Sequence, residues 1–453
     1  MSFSRRLKLL AGRLALPRRL ERALPRAALE IMAALADAGH EVGLVGGSVR
    51  DLLLGTAPKD WDMVTSASPE QMLALFPQGR VMGASRGGNT VLIPREGQPY
   101  EVTPYRGANL GEDLARRDFT MNAMALGLDG TLHDPLGGQR DLAAGVVRAC
   151  LDPGARLAED PLRALRAIRL AAHFEFDLDP ALAAALPLAA PGVAMLAPER
   201  IGAELARMLV TPRPVWALER LRESGLLAVF APEIADMYGV EQNQYHRFDV
   251  WHHSMAALGL APVELHLRLA ALLHDVGKPR TVSTDERGNR HFYAHESIGA
   301  EMADDLLARL RFPADVRAKV VHLVRWHMDL HLEGEMSDSA IRRMVRRVGL
   351  EHMHDLIQLR RADRLASGMR QGDLSPETVH LLQQVDRILK EDAALRVTDL
   401  AVDGGDVLEI FCRPPGPYVG RVLAQLLEEV TEDPRLNERE WLLSRLAELS
   451  KVW

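Results

Sequence analysis

The segment from Val42 to Val64 constrains this chain more than any other. Val42-Gly43-Leu44-Val45 reads as a short apolar strand, and Gly46-Gly47 follows as a turn. A helix opens next, capped by Ser48 with Asp51 three residues on. Lys59-Asp60-Trp61-Asp62-Met63-Val64 then returns as a strand over 60–65. Elements this short and this closely spaced pack as one mixed layer, which sets the class of the N-terminal region as α+β.

The same segment carries the clearest chemistry. Residues i and i+2 of a strand share a face, so the carboxylates of Asp60 and Asp62 converge. They do so beside a turn whose glycines, Gly46 and Gly47, let backbone amides approach a phosphate closely. Arg50, one helical turn beyond, can pair with a triphosphate, and Glu101 on the next expected strand offers a third carboxylate. Such a layout suits Mg²⁺-assisted transfer to or from a nucleoside triphosphate, with two ions ~3.5–4 Å apart bridging attacking and leaving oxygens.

At 453 residues the chain has room for about two to four domains. Two cysteines, Cys150 and Cys412, make no disulfide framework, so a reducing cytoplasm is expected. The most apolar stretch, Pro180 to Pro198, is interrupted by Pro187 and Pro191 and reads as helix and loop, with no membrane span expected. Net charge is −7, which argues against nonspecific coating of nucleic acid while leaving local basic patches open. The first 26 residues, with eight Arg or Lys and one Glu, read as a basic helical arm.

Along the chain, 27–40 has helical periodicity, a hairpin is expected from 90–94 and 100–106 across 95–99, and 119–128 and 131–134 add strand or short helix. Residues 159–174 form an amphipathic helix with Pro161 in its first turn. Helices follow over 199–209, 213–224, 250–261, 264–274, 295–310, 314–328, 337–348 and 351–367, then a last helical module from 376 to 453. The expected organisation is an α+β head over 1–150 with a small β-sheet, and all-α regions over 151–235, 236–370 and 371–453.

Five ordered segments carry a resemblance. Gly46 to Asp51 with Lys59-Asp60-Trp61-Asp62, Arg116-Arg117-Asp118-Phe119-Thr120-Met121-Asn122-Ala123, Asp134-Pro135-Leu136-Gly137-Gly138 with Asp141-Leu142, Glu159-Asp160-Pro161-Leu162-Arg163, and Glu199-Arg200-Ile201 with Glu204-Leu205 together resemble the class II tRNA nucleotidyltransferases. These enzymes build the C-C-A end of tRNA without a nucleic-acid template. The resemblance implies a nucleotidyltransferase head and helical neck, Mg²⁺ in the head on Asp60 and Asp62, and catalysis by Asp60, Asp62 and Glu101. It further implies nucleotide binding by Gly46, Gly47, Arg50, Arg117, Asp118, Asn122, Asp160, Arg163, Arg166 and Arg169, with the tRNA acceptor stem as partner.

Asp160 and Arg163 also make chemical sense alone. At i and i+3 of a helix they would share a face, as an ordinary salt bridge or as a reader of bases. Cytosine and adenine both present an amine beside a ring nitrogen, matching a carboxylate and a guanidinium; uracil and guanine would leave both groups mispaired. One departure matters. Between Tyr105-Arg106 and Glu112-Asp113-Leu114 stand only Gly107-Ala108-Asn109-Leu110-Gly111, where enzymes adding all three nucleotides have a much longer loop. That loop is the lever that re-aims the selecting side chains from C to A. The resemblance therefore implies a CC-adding enzyme using CTP, with ATP doubtful; the alternatives are a full CCA-adding enzyme and a poly(A) polymerase.

The second half is rich in histidine. His253, His274-Asp275, His295, His327 and Asp363, all on expected helices, resemble the HD phosphohydrolase superfamily. The resemblance implies a transition metal such as Mn, Ni, Co, Fe or Zn on those six residues, with His246 and Asp249 nearby. The activity implied is metal-assisted hydrolysis of a cyclic phosphate or phosphomonoester, and a phosphohydrolase with an inert head is a further alternative. His266, His322 and His354 are expected to be ordinary histidines, and Met302, Met336 and Met353 packing residues. Arg and Lys on the last helices are expected to grip tRNA phosphates.

Overall fold

The computed structural model describes residues 24–82, 89–242, 247–330, 337–367, 376–390 and 396–452. Most of the basic arm, His246 and Met336 lie outside the described residues. The chain forms two compact units, Met1–Phe230 and Ala231–Trp453.

The first unit is built on a seven-stranded sheet. Its strands are β1 Val42–Val45, β2 Asp62–Thr65, β3 Arg80–Met82, β4 Thr90–Arg95, β5 Gln98–Pro104, β6 Ala125–Gly127 and β7 Leu132–His133, in the order β3-β4-β5-β2-β1-β6-β7. β1 runs antiparallel to β2 and β6, and β2 runs parallel to β5 with Asp62 opposite Glu101. The β4–β5 hairpin closes on Glu96-Gly97, both with positive φ, a tighter turn than the 95–99 expected. Helix Arg26–Asp37 packs on the sheet with Ala28, Ile31, Met32 and Leu35 buried, each large side chain contributing roughly 1.5–3 kcal/mol.

Two local expectations are corrected here. Gly46, with φ 72°, is the N-cap of helix Gly47–Leu53, so the helix begins before Ser48. Ser48 is buried and its Oγ donates to the Val45 carbonyl at 2.7 Å. Asp160 is extended (φ −143°, ψ 98°) between helices Pro153–Glu159 and Leu162–Phe174, not within one helix. Pro161 disfavours the helical conformation in the residue before it, which is why the helix breaks there.

The Asp134-to-Leu142 motif is structural. Asp134 accepts from the backbone N–H of Gly138 (2.6 Å) and Gln139 (2.9 Å), fastening helix Gly138–Ala144, and Asp141 accepts from Thr120 Oγ1 at 2.8 Å. A Cβ at Gly138 would collide with the Thr120 carbonyl and press on Met124. Gly138→Ala is expected to cost about 1–3 kcal/mol in thermal unfolding, because the Thr120–Asn122 turn must move.

A small parallel pair, β8 Val146–Val147 and β9 Asp177–Leu178, also belongs to the first unit. Among the described residues, the second unit is helical apart from the hairpin of β10 Val282–Thr284 and β11 Arg290–Phe292. One apolar core joins helices Val250–Leu260, Leu265–Leu273, Ala314–Trp326, Asp338–Val348 and Met353–Ala366; a second holds Gly404–Phe411, Pro417–Glu432 and Arg439–Leu449. Met302 and Met353 are buried as expected. Arg387, Arg396, Arg439 and Arg445 in the tail are each paired with a carboxylate, on Asp338, Glu351, Asp406 and Glu429. No helix among the described residues is long and apolar enough to cross a membrane.

Candidate functional sites

In the first unit, a cleft of about 730 Å³ has Gly47, Arg50, Asp60 and Asp62 in its wall. Asp62 begins β2 and Glu101 stands beside it on β5. Asp60 precedes the strand and is exposed, so only Asp62 has strand geometry, although both reach the same cleft. Burial and the neighbouring charge of Glu101 raise the Asp62 carboxyl above its ordinary range, against the pull of Arg117. Three carboxylates that repel one another, offering only hard oxygen donors, fit Mg²⁺.

The basic side of the site is a chain of braced side chains. Arg50 donates to Asp51 Oδ1 (2.8 Å) and Asn122 Oδ1 (2.7 Å) and lies over the Phe174 ring. Asn122 Nδ2 donates to Asp118 Oδ1 at 3.0 Å, and Arg166 pairs with the other oxygen of Asp118 at 3.2 Å. Burial would raise the Asp118 carboxyl, but Arg166, Asn122 and the Phe119 amide together hold it below its usual range. Arg117 is fixed on fully buried Asp113 at 2.9 Å, with Nη1 3.3 Å from where a Cβ on Gly46 would be. The glycine turn therefore leaves room for that guanidinium.

Asp160 and Arg163 are not paired with each other. Asp160 holds Arg200 at 3.1 Å, and Arg163 holds Glu159 at 3.1 Å and the Arg116 carbonyl at 3.2 Å. Glu204, nearly buried, braces Arg169 at 2.5 Å. The Glu199-to-Leu205 motif thus supports Asp160, between two helices, and Arg169 on the second of them. Arg106 and Arg116, which the sequence marks as a loop boundary and a motif residue, fasten the short segment between them: Arg106 N–H donates to Asp113 Oδ1, and Arg116 donates to the Arg106 carbonyl.

In the second unit the six expected ligands come together as two groups of three, His253–His274–Asp363 and Asp275–His295–His327. In each group the ligand atoms lie within 4.8 Å of one another, and every member is buried. Asp275 links them: Oδ2 is 3.3 Å from His274 Nε2, and Oδ1 is 3.5 Å from His295 Nε2. The Nδ1 atoms of His274, His295 and His327 lie 2.7–2.8 Å from the carbonyls of Ala271, Phe292 and Val324. Those carbonyls select the tautomer with hydrogen on Nδ1 and leave Nε2 lone pairs facing inward, the arrangement a transition metal needs. Burial pushes the His295 imidazole down, while Asp275 lifts His274 despite its burial. His274 and Lys278 hold the Asp275 carboxyl well below the usual range against the effect of burial.

Lys278, missed from sequence, donates to Asp275 Oδ2 at 2.7 Å; its i+3 spacing from Asp275 was the available signal. Asp249 is not a ligand: it caps helix Val250–Leu260 and pairs with His252. His266 pairs with Asp355, and His322 meets the Val348 carbonyl, both ordinary roles.

Comparison with known proteins agrees with this geometry. The Poly A polymerase head domain matches residues 42–148, a probable RNA- and SrmB-binding site of polymerase A matches 175–238, and the HD domain matches 244–368. A CC-adding tRNA nucleotidyltransferase of Thermus thermophilus is 37% identical over 86% of this chain and 89% of its own length. An A-adding tRNA nucleotidyltransferase of Deinococcus radiodurans is 36% identical over 85% of this chain and 90% of its own. The crystal structure of the Bacillus stearothermophilus CCA-adding enzyme in complex with CTP superposes with a TM-score of 0.71 at 26% identity, covering 94% of this chain and 97% of that one. On this extent of similarity, the chain belongs to the family of tRNA nucleotidyltransferases.

Proposed function

We propose that this enzyme takes CTP and adds two cytidines to the 3′ end of tRNA in the cytoplasm. The observation that carries the restriction to C is the segment Gly107–Gly111. Asn109 caps helix Leu110–Ala115, the Ala108 amide is tied to Glu112, and Leu110 packs against the buried cluster of Val45, Val64, Leu114 and Ala125. A segment this short, fastened at both ends and in its middle, lacks the second state that re-aiming the selecting residues for a purine requires.

Asp60, Asp62 and Glu101 would hold Mg²⁺, which when bound supplies charge neutralisation for the triphosphate and a more acidic 3′-hydroxyl. The amides at Gly46 and Gly47, with Arg117, hold the phosphates, and Asp118 and Asn122, set by Arg50 and Arg166, position the sugar. Asp160 and Arg163 read the base. Their resting partners Arg200 and Glu159 are about half exposed, so exchanging those ion pairs for a cytosine edge costs little. Phosphates of the acceptor stem are gripped by shape along the neck and tail.

Labelled triphosphates, supplied singly and together to tRNA lacking its last three nucleotides, test this. Extension by two residues with CTP, none with ATP alone and no third residue with both is expected. Conversion of tRNA ending in C-C to C-C-A at a rate near that of CTP addition would contradict it and favour an A-adding or CCA-adding enzyme. Repeated ATP-only addition to any RNA would indicate a poly(A) polymerase.

A second reading concerns the HD region. Its two complete ligand groups support a transition-metal centre acting on a phosphate ester, with Lys278, Arg360 and the backbone carbonyls fixing the ligand side chains.

A further inference from the structure

The apolar stretch from Pro180 to Pro198 folds as helix Pro180–Ala185, a 3₁₀ turn Leu186–Ala189 and a short helix Ala190–Val193. Gly192 of that short helix lies against Pro161, the residue that joins Asp160 to the helix of Arg163. A Cβ on Gly192 would overlap the Pro161 Cγ and stand 2.9 Å from its Cβ. Carbon atoms in ordinary contact are ~3.5–4.0 Å apart, so no side chain fits between the two.

A methyl group added there must push one side away, and burial decides which. Leu186, Ala189 and Val193 anchor their stretch in the core, and helix Ala190–Val193 packs on helix Leu226–Phe230. Pro161 is only partly buried, and Asp160 before it is extended between two helices. The Asp160–Pro161 step is therefore the side that yields. Arg163 is tied to that step, because its amide donates to the Asp160 carbonyl at 2.9 Å, and the Leu162 amide donates to Asp160 Oδ1 at 3.2 Å. The Asp160 carboxylate is meanwhile held by Arg200 at 3.1 Å, on the helix Pro198–Leu209 that follows the same stretch. One segment of the neck, 190–200, thus grips the step at its ring and at its carboxylate.

We propose that Gly192 is a positioning residue for base selection: the place of its missing side chain is the seat of the Pro161 ring, and that seat fixes where Asp160 and Arg163 stand. The inference rests on the reading of Asp160 and Arg163 as the base readers and adds a residue that acts on them through Pro161. Readout by hydrogen bonds tolerates little displacement, and a misplacement of about 1 Å can cost about 10²-fold in rate. CTP, which the readers match, has most to lose. UTP, which already leaves them mispaired, has little.

The test is single-turnover addition by the full chain to tRNA lacking its last three nucleotides, with CTP or UTP supplied alone. Gly192→Ala is expected to lower the rate with CTP roughly 10- to 100-fold and the rate with UTP far less, so that the preference for CTP falls roughly tenfold. Pro161→Ala empties the seat instead of crowding it and is expected to lower the preference in the same direction, which keeps the test decisive should Gly192→Ala not fold. Gly79→Ala is the control for mere loss of stability. Its Cβ would press on the Phe76 carbonyl and on Val91 Cγ1, both at 3.0 Å, so it is expected to lower the Tm and keep the wild-type preference. Wild-type preference in folded Gly192→Ala or Pro161→Ala, or the same loss of preference in Gly79→Ala, overturns the role of Gly192 while base reading by Asp160 and Arg163 stands. A wild-type enzyme that does not prefer CTP to UTP overturns the base readers themselves.

Discussion

Replacing Asp62 by Ala is expected to reduce nucleotide addition by roughly 10³-fold or more in kcat/KM, since charge stabilisation by a bound metal amounts to several kcal/mol and each 1.36 kcal/mol is tenfold. Asp62 is the carboxylate that strand geometry fixes, facing Glu101 across the β2–β5 register with Asp60 at the strand entrance. Its removal also relieves repulsion, which a purely structural residue would not show. Burial and Glu101 already oppose its charged form. Asp62→Asn is therefore expected to raise the Tm in magnesium-free buffer, and to lose the further rise that Mg²⁺ gives the wild type. Addition at a near-normal rate by Asp62→Ala would leave the cleft without a catalytic role.

Asp275→Ala is expected to empty the HD centre as a whole. Asp275 is the member that reaches both groups, within 3.6 Å of His253 and 3.5 Å of His295. A variant of a peripheral ligand such as His327 weakens one group; Asp275→Ala weakens both. It also removes the carboxylate beside the buried Lys278 ammonium, which keeps only the neutral Gln242 Oε1 (2.6 Å) as acceptor, at a cost of about 3–5 kcal/mol. Elemental analysis of the purified protein should show bound transition metal falling at least tenfold, and calorimetry a lower Tm for the second unit. Cytidine addition should persist, because the six ligands belong to the second unit and the head cleft to the first. Full metal content in Asp275→Ala would contradict the shared-ligand geometry.

Much of this was readable from residue order, for physical reasons. The alternation around Asp62 and Glu101 and the glycine turn between Val45 and Ser48 are local signals, but β2 begins at Asp62, leaving Asp60 before it, and the helix begins at Gly47 with Gly46 as its cap. The break at Asp160 was also local: an X-Pro step disfavours helix, and the amphipathic period of 162–174 hid it. Helix Pro69–Leu75 was signalled by the Ser68–Gln71 capping box with Pro69 at its start, a pattern that periodicity alone passes over. β3 is three exposed residues, too few to alternate. The HD ligands could be named singly, but their division into two groups around Asp275 depends on how five helices pack, which no local pattern encodes. The same holds for Arg50 and Arg163: sequence marks a cation, and only packing shows that Asn122 and Glu159 hold it.

The most direct test of the head cleft is a crystal soaked with Mg²⁺ and CTP. The triphosphate is expected between the Gly46-Gly47 turn and Arg117, with metal density against Asp60 and Asp62 and the cytosine edge on Asp160 and Arg163 released from Arg200 and Glu159. CTP bound at another place, with Asp60 and Asp62 free of metal, would contradict the assignment of this cleft as the site of nucleotidyl transfer.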